Sequence, residues 1–221
     1  MTERVRKTLE FLREQFEKPT YFQQNPTQKN YRFEHSIRVA NIAAEIAHAE
    51  GLDEELMTIA GLLHDVGYGQ DFPDDYDWNN HGRDGAHVAR PFLETLGLSD
   101  AEVNEICYAI AIHVDDQADF EWERTAFSET VGDADNIDRF DTYRIYETVK
   151  YKGFEGLELD GRIEWLKTRL EQLESLRNFK FGTQTAIALW QEKLDFQAEF
   201  FGRMLKQMEA SRMDEERSDM E

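Results

Sequence analysis

The chain has 221 residues and a mass of 26.0 kDa, enough for one large domain and too much for a mini-protein stapled by disulfides. Hydrophobic residues make up 40% and aromatics 12%, which supplies a packed core and excludes global disorder. A formal net charge of -21, from 46 Asp and Glu against 25 Lys and Arg, repels polyanions and argues against general DNA or RNA binding through phosphate neutralisation.

Taken in chain order, the apolar periodicity is helical almost throughout, and the expected fold is all-α. From Thr2, Val5, Leu9, Leu12 and Phe16 fall at spacings of three and four and form one apolar stripe. Residues 18–30 read as a loop. A helix rich in Ala and Ile is expected from Tyr31 to Glu50, stopped by Gly51. Asp53, Glu54 and Glu55 open the next, which runs through Leu56, Ile59, Ala60 and Leu63 toward Gly67. An acidic, aromatic-bearing loop spans 69–80. A helix from Arg83 to Leu96 ends at Gly97, and Ser99-Asp100-Ala101-Glu102 is a capping-box signature for one reaching His113. After a variable stretch at 115–125 a further helix spans Ser128 to Phe140. Two long amphipathic helices, at 161–178 and 183–212, are broken at Phe181-Gly182 and suggest an antiparallel hairpin. Residues 213–221 read as a frayed, charged tail.

The whole chain, 1–221, is thus expected to form a single domain. The one cysteine, Cys107, forms no internal disulfide and fits a reducing compartment. No apolar run approaches the roughly 18 residues of a spanning helix. The N-terminal MTERVRKTLE has no signal-peptide core. The expectation is a cytoplasmic protein with no membrane partner.

Six residues could carry chemistry: His35, the adjacent His64 and Asp65, His81, His113 and Asp135. Each offers a nitrogen or carboxylate ligand. On a helix, His64 and Asp65 would project about 100° apart, so both could reach an ion lying between their directions. Imidazole and carboxylate without thiolate favour Mn, Fe, Co, Ni or Zn and suit Ca poorly. Each residue alone is unremarkable, and the flanking residues strengthen the set. His35 stands in HSIRVANIAAEIA, His64-Asp65 in IAGLLHDVGY, His81 in HGRDGAHVA, His113 in AIAIHV and Asp135 in VGDADNIDRF.

In these five motifs and their order, residues 31–145 resemble the HD-domain metal-dependent phosphohydrolase superfamily. The resemblance implies a helical bundle in which His35, His64, Asp65 and Asp135 form the core metal site. His81 and His113 match the extra histidines of members that hold a second metal, with Asp65 bridging, so one or two divalent ions are expected. The implied chemistry is hydrolysis of a small phosphorylated compound by a metal-activated water, with Asp65, His64 and His113 as the catalytic group. Asp84, Asp133 and Asp138 fit the task of orienting imidazoles through their other ring nitrogen. Arg38, Arg83 and Arg139, each within four residues of a proposed ligand, are candidates for steadying a phosphate.

The resemblance stops short of a substrate. Where cyclic-dinucleotide hydrolases of the superfamily carry a Lys after the HD pair, this chain has Tyr68. Where stringent-response hydrolases carry an acidic pair, it has Val66 and Gly67. The loops at 69–80 and 115–125 adjoin proposed ligands and are expected to flank the site, with Tyr68, Tyr76 and Trp78 positioned to stack on a base or cover a substrate. Trp190, Phe196, Phe200 and Phe201 on the last helix would serve the core or a homodimer surface. Two other chemistries stay open: a di-iron oxygenase built on the same six ligands, and a metal-binding module without catalysis.

Overall fold

All regular elements of the computed structural model, which describes residues 1–73 and 75–212, are helical. Helix α1 (Glu3–Phe16) is capped by Thr2, whose hydroxyl accepts the Val5 amide at 3.2 Å, and it buries Leu12 and Phe16. The stretch 18–30, expected as a loop, instead folds into α2 (Thr20–Gln24) and the first turn of α3 (Pro26–Glu50). Pro26 occupies the first turn of α3, where a missing N–H breaks no helical bond. Gly51 ends α3 in the left-handed conformation at φ 71°.

Helix α4 (Glu54–Leu63), capped by Asp53, is shorter than the expected run to Gly67. His64 and Asp65 therefore lie on the exit from a helix, followed by a 3-10 turn at Val66–Gly69. Next come α5 (His81–Leu93), starting two residues earlier than expected, and α6 (Asp100–Ile112) with its Ser99–Glu102 capping box. Helix α7 spans Ala126–Asp138. An unanticipated α8 (Thr142–Lys152) precedes α9 (Leu159–Ser175) and α10 (Gln184–Glu209). The tail expected to fray, 213–221, lies outside the described residues.

The described residues fall into two compact units. The first joins Met1–Asp138 to the short segment Phe181–Ala186; the second comprises Arg139–Lys180 and residues 187–212. In the first unit α4 is the central helix. Leu56, Met57, Ile59, Ala60, Gly61, Leu62 and Leu63 are all buried, and α4 touches α1, α3, α6 and α7. A helix that is apolar all round belongs in a core. The segment Phe181–Ala186 closes on this unit: the Gly182 amide donates to Asp133 at 2.9 Å, and the Thr185 amide to Glu50 at 2.8 Å.

In the second unit α9 and α10 run antiparallel. Arg177 reaches Asp195, Arg169 reaches Gln197 and Trp165 meets Phe201, so rising numbers on one helix face falling numbers on the other. Trp190 and Phe201 are buried in this unit, while Phe196 and Phe200 are exposed. No described helix is long and apolar enough to cross a membrane.

The contact of α3 with α4 is close enough to exclude a side chain. A Cβ on Gly61 would stand 2.7 Å from the Ala40 Cα. Alanine at a helical position gains about 1 kcal/mol in propensity over glycine, but overpacking against backbone costs about 1–3 kcal/mol. The clash wins: Gly61→Ala is expected to lower the melting temperature in a circular-dichroism scan, and a raised one would show that α3 and α4 can part at no cost.

Candidate metal centre

Five segments of the first unit deliver one side chain or more to a common buried point. His35 comes from the middle of α3, His64 and Asp65 from the exit of α4, His81 from the first residue of α5, His113 from the end of α6 and Asp135 from α7. His35 Nε2 is 3.3 Å from His64 Nε2 and 3.1 Å from Asp135 Oδ1. Asp65 stands between two pairs of imidazoles. Its Oδ2 lies 3.7 Å from His35 Nε2 and 3.6 Å from His64 Nε2, whereas its Oδ1 lies 3.5 Å from His81 Nε2 and 3.8 Å from His113 Nε2.

The outward ring nitrogens are all engaged. His64, His81 and His113 each donate Nδ1–H to the carbonyl three residues back, on Gly61, Trp78 and Ile110, at 2.8, 2.5 and 2.6 Å. His35 Nδ1 donates to Asp138 at 2.7 Å, and Arg38 holds the same carboxylate at 2.7 and 3.1 Å. A carbonyl or carboxylate only accepts, so these bonds fix the tautomer and turn the Nε2 atoms inward.

The donor set fits a divalent cation of the first transition row. Two three-donor groups, His35–His64–Asp135 and His64–Asp65–His113, have their ligating atoms within 4.8 Å of one another. His113 Nε2 is buried with no hydrogen-bond partner among the described residues, an arrangement that natural cores avoid unless something is bound. His81 joins neither trio and stands at the edge of the cluster, nearest Asp65 Oδ1.

The electrostatics point the same way. Burial opposes a charge on His35, but hydrogen bonds to Asp135 and Asp138 outweigh it and bring its pKa up to about 9. Burial pushes His64 down to about 4. The Asp65 carboxyl, despite its burial, is held well below the usual carboxylate range by the charges of His64 and Arg32 around it. The point thus concentrates negative charge and lone pairs, and only a positive species there satisfies both.

Residues 32–143 match the HD domain family. The chain belongs to that family. Over most of its length, this HD-domain chain is similar to the crystal structure of a predicted HD superfamily hydrolase from an uncultured Thermotogales bacterium. The two are 25% identical with a TM-score of 0.64, and the match covers 91% of each chain. Divalent metal binding goes with the family, and the His and Asp cluster of this HD domain is built for it.

The residues singled out to steady a phosphate have other partners. Arg38 is committed to Asp138. Arg83 spans Asp115, with both oxygens at 2.9 Å, and Asn80. Arg139 is exposed and belongs to the second unit. Of the three outer carboxylates only Asp138 orients an imidazole; Asp133 accepts from the Gly182 amide, and Asp84 accepts from the Tyr76 hydroxyl. Tyr68 does adjoin the cluster, its ring 5.1 Å from that of His81.

A residue passed over in the sequence, Arg32, is nearer than any of these arginines. It donates to Asp65 Oδ2 at 2.7 Å, and its guanidinium lies 3.9 Å over the Tyr68 ring. The signal available was its spacing, one turn before His35 on the same helix. Beside it opens a cleft of about 550 Å³ lined by Tyr21, Arg32, Tyr68, Phe72 and Trp78 among others. From loop 69–80, Gln70, Asp71, Phe72, Pro73 and Trp78 line this cleft. Stretch 115–125 contributes nothing to its lining, with Phe120 lying instead against Tyr108 and Arg90.

Because Asp138 holds the outward Nδ1 of His35, Asp138→Asn is expected to weaken divalent-metal affinity by about ten- to a hundredfold. Competition with a chelator measures it, and wild-type affinity in the variant would show that Asp138 serves Arg38 alone.

Proposed function

We propose that this chain is a metal-dependent phosphohydrolase acting on a small phosphorylated compound. The observation that carries the reading is the convergence of four inward Nε2 atoms with Asp65 and Asp135 at one buried point, beside which Arg32 and Tyr68 also line a cleft. Family membership supports metal-dependent chemistry, and the name of the similar Thermotogales protein supports hydrolysis.

His35, His64, Asp65 and Asp135 would hold one ion, and His81 and His113, with Asp65 between the pairs, would hold a second. Bound there, divalent cations supply Lewis-acid chemistry, acidifying water for attack on phosphorus and offsetting phosphoryl charge. The protein contributes orientation. Backbone carbonyls of Gly61, Trp78 and Ile110 keep three imidazoles aimed, and Asp138 keeps the fourth. Arg32 adds a fixed positive charge at the point where the cluster meets the cleft, which matters in a chain of net charge -21. His64 and His113, whose rings lie 5.1 Å apart beside Asp65, would each give Nε2 to an ion, and their bound Nδ1 atoms keep those rings in place.

Two experiments test this. Stripped protein reconstituted with Mn and assayed without oxygen is expected to release phosphate from a model phosphoester. Activity that appears only with iron and consumes O₂ would replace hydrolysis by oxygenation at the same ligands. Asp65→Ala is expected to reduce phosphate release to background while the helical circular-dichroism signal stays intact, because Asp65 faces the ligands and not the apolar core; retained turnover would place the chemistry elsewhere.

A further inference from the structure

The cleft beside the cluster has a composition at odds with the chain around it. Among its described lining residues Arg32 is the one cation and Asp71 the one acid. The Asp71 carboxylate is already consumed. It accepts the Thr20 amide at 2.8 Å, the Thr20 hydroxyl at 3.0 Å and the Tyr21 amide at 3.4 Å, holding the start of α2 against loop 69–80. What remains to face a ligand is one guanidinium, two glutamine side chains and an aromatic panel.

Arg32 is aimed and only partly used. Its Nη1 donates to Asp65, and the Tyr68 ring supports the guanidinium at 3.9 Å. A guanidinium carries five N–H donors in a rigid fork. No further acceptor meets Arg32 among the described residues, and its side chain keeps 29% exposure toward the cleft. A fork fixed at one tine and open on the others suits the oxygens of a phosphoryl group.

The aromatic panel stands next to it. Tyr68 stacks on Trp78 with centroids 5.7 Å apart and planes at 20°, and Phe72 closes edge-on against both, at 6.1 and 5.2 Å. Trp78 nevertheless keeps 53% of its surface exposed. A large ring held in place by its neighbours yet left open to solvent is a prepared stacking surface.

We infer that this cleft is a subsite for a flat ring carried by the substrate, with Trp78 as the specificity-determining residue and Arg32 holding the adjoining phosphoryl group beside Asp65. The substrate class is a phosphoric ester of an aromatic or heteroaromatic group, as against a sugar phosphate or a polyol phosphate. The inference rests on the phosphohydrolase reading for its phosphate and on the cleft for its ring.

Calorimetric titration of the intact, metal-loaded protein with 1-naphthyl phosphate and with glycerol phosphate tests it. The aromatic ester is expected to bind about tenfold tighter, and Trp78→Ala to erase most of that preference while leaving glycerol phosphate affinity in place. Arg32→Ala is expected to weaken both phosphates by about ten- to a hundredfold, and Arg32→Lys, which keeps the charge and loses the fork, to fall between. Trp78 is on the surface, so its variant folds whether or not Arg32→Ala does. Equal affinity for the two esters, or a preference that survives Trp78→Ala, would overturn the ring subsite. Wild-type phosphate affinity in both Arg32 variants would overturn the role of Arg32. Aromatic preference without phosphate release from any ester would leave the cleft standing and remove the hydrolase; release without preference does the reverse.

Discussion

A buried carboxylate set between two pairs of imidazoles is the constraint around which the first unit is organised. Asp65 is 2% exposed, and an unpaired charge at that depth costs several kcal/mol. Arg32 offsets part of that cost and a cation the rest, but only if α3, the exit of α4, α5, α6 and α7 all bring their donors to one place. Close backbone approach makes this possible. A Cβ on Gly82 would fall 2.6 Å from the Ala111 carbonyl and 3.2 Å from His113 Nδ1. The start of α5 can therefore lie against the end of α6, with the His81 and His113 rings 5.0 Å apart.

Orientation is supplied at two levels of structure. His64, His81 and His113 donate their outward N–H to the carbonyl three residues back, so local helix geometry sets their tautomer. His35 sits mid-helix, where that carbonyl serves the helix itself, and takes its partner from Asp138, 103 positions away.

Much of the bundle was legible because its signals are local: the Asp53 and Ser99 caps, the Gly51 and Gly97 stops, and the apolar period of α1. The failures were failures of distance. Helix α2 donates its first-turn amides to Asp71, about fifty positions on, so nothing in residues 18–30 announced it. Helix α8 buries only Ile145 and exposes Tyr143, Tyr146 and Tyr151, which erases the amphipathic stripe that would have marked it. The ligands could be read as motifs, but the arginines could not. Arg38 and Arg83 looked available until Asp138 and Asp115 arrived from remote segments, while Arg32 acquired meaning only when Asp65 came to meet it.

The return of the chain at Phe181–Ala186 bears on how this HD domain could be excised. A fragment cut to residues 32–143 would retain all six metal-ligand candidates, because they lie between His35 and Asp135. It would lose α1, which touches the central helix α4. It would also lose Gly182, whose amide is the hydrogen-bond donor to the buried Asp133 carboxylate two residues before a ligand. Burial already drives the Asp133 carboxyl up to about 7; without that amide the same burial would favour its neutral form further. The limits of the ligand set and the limits of the foldable piece are therefore different residues, and shortening to the first would trim away support that the second requires.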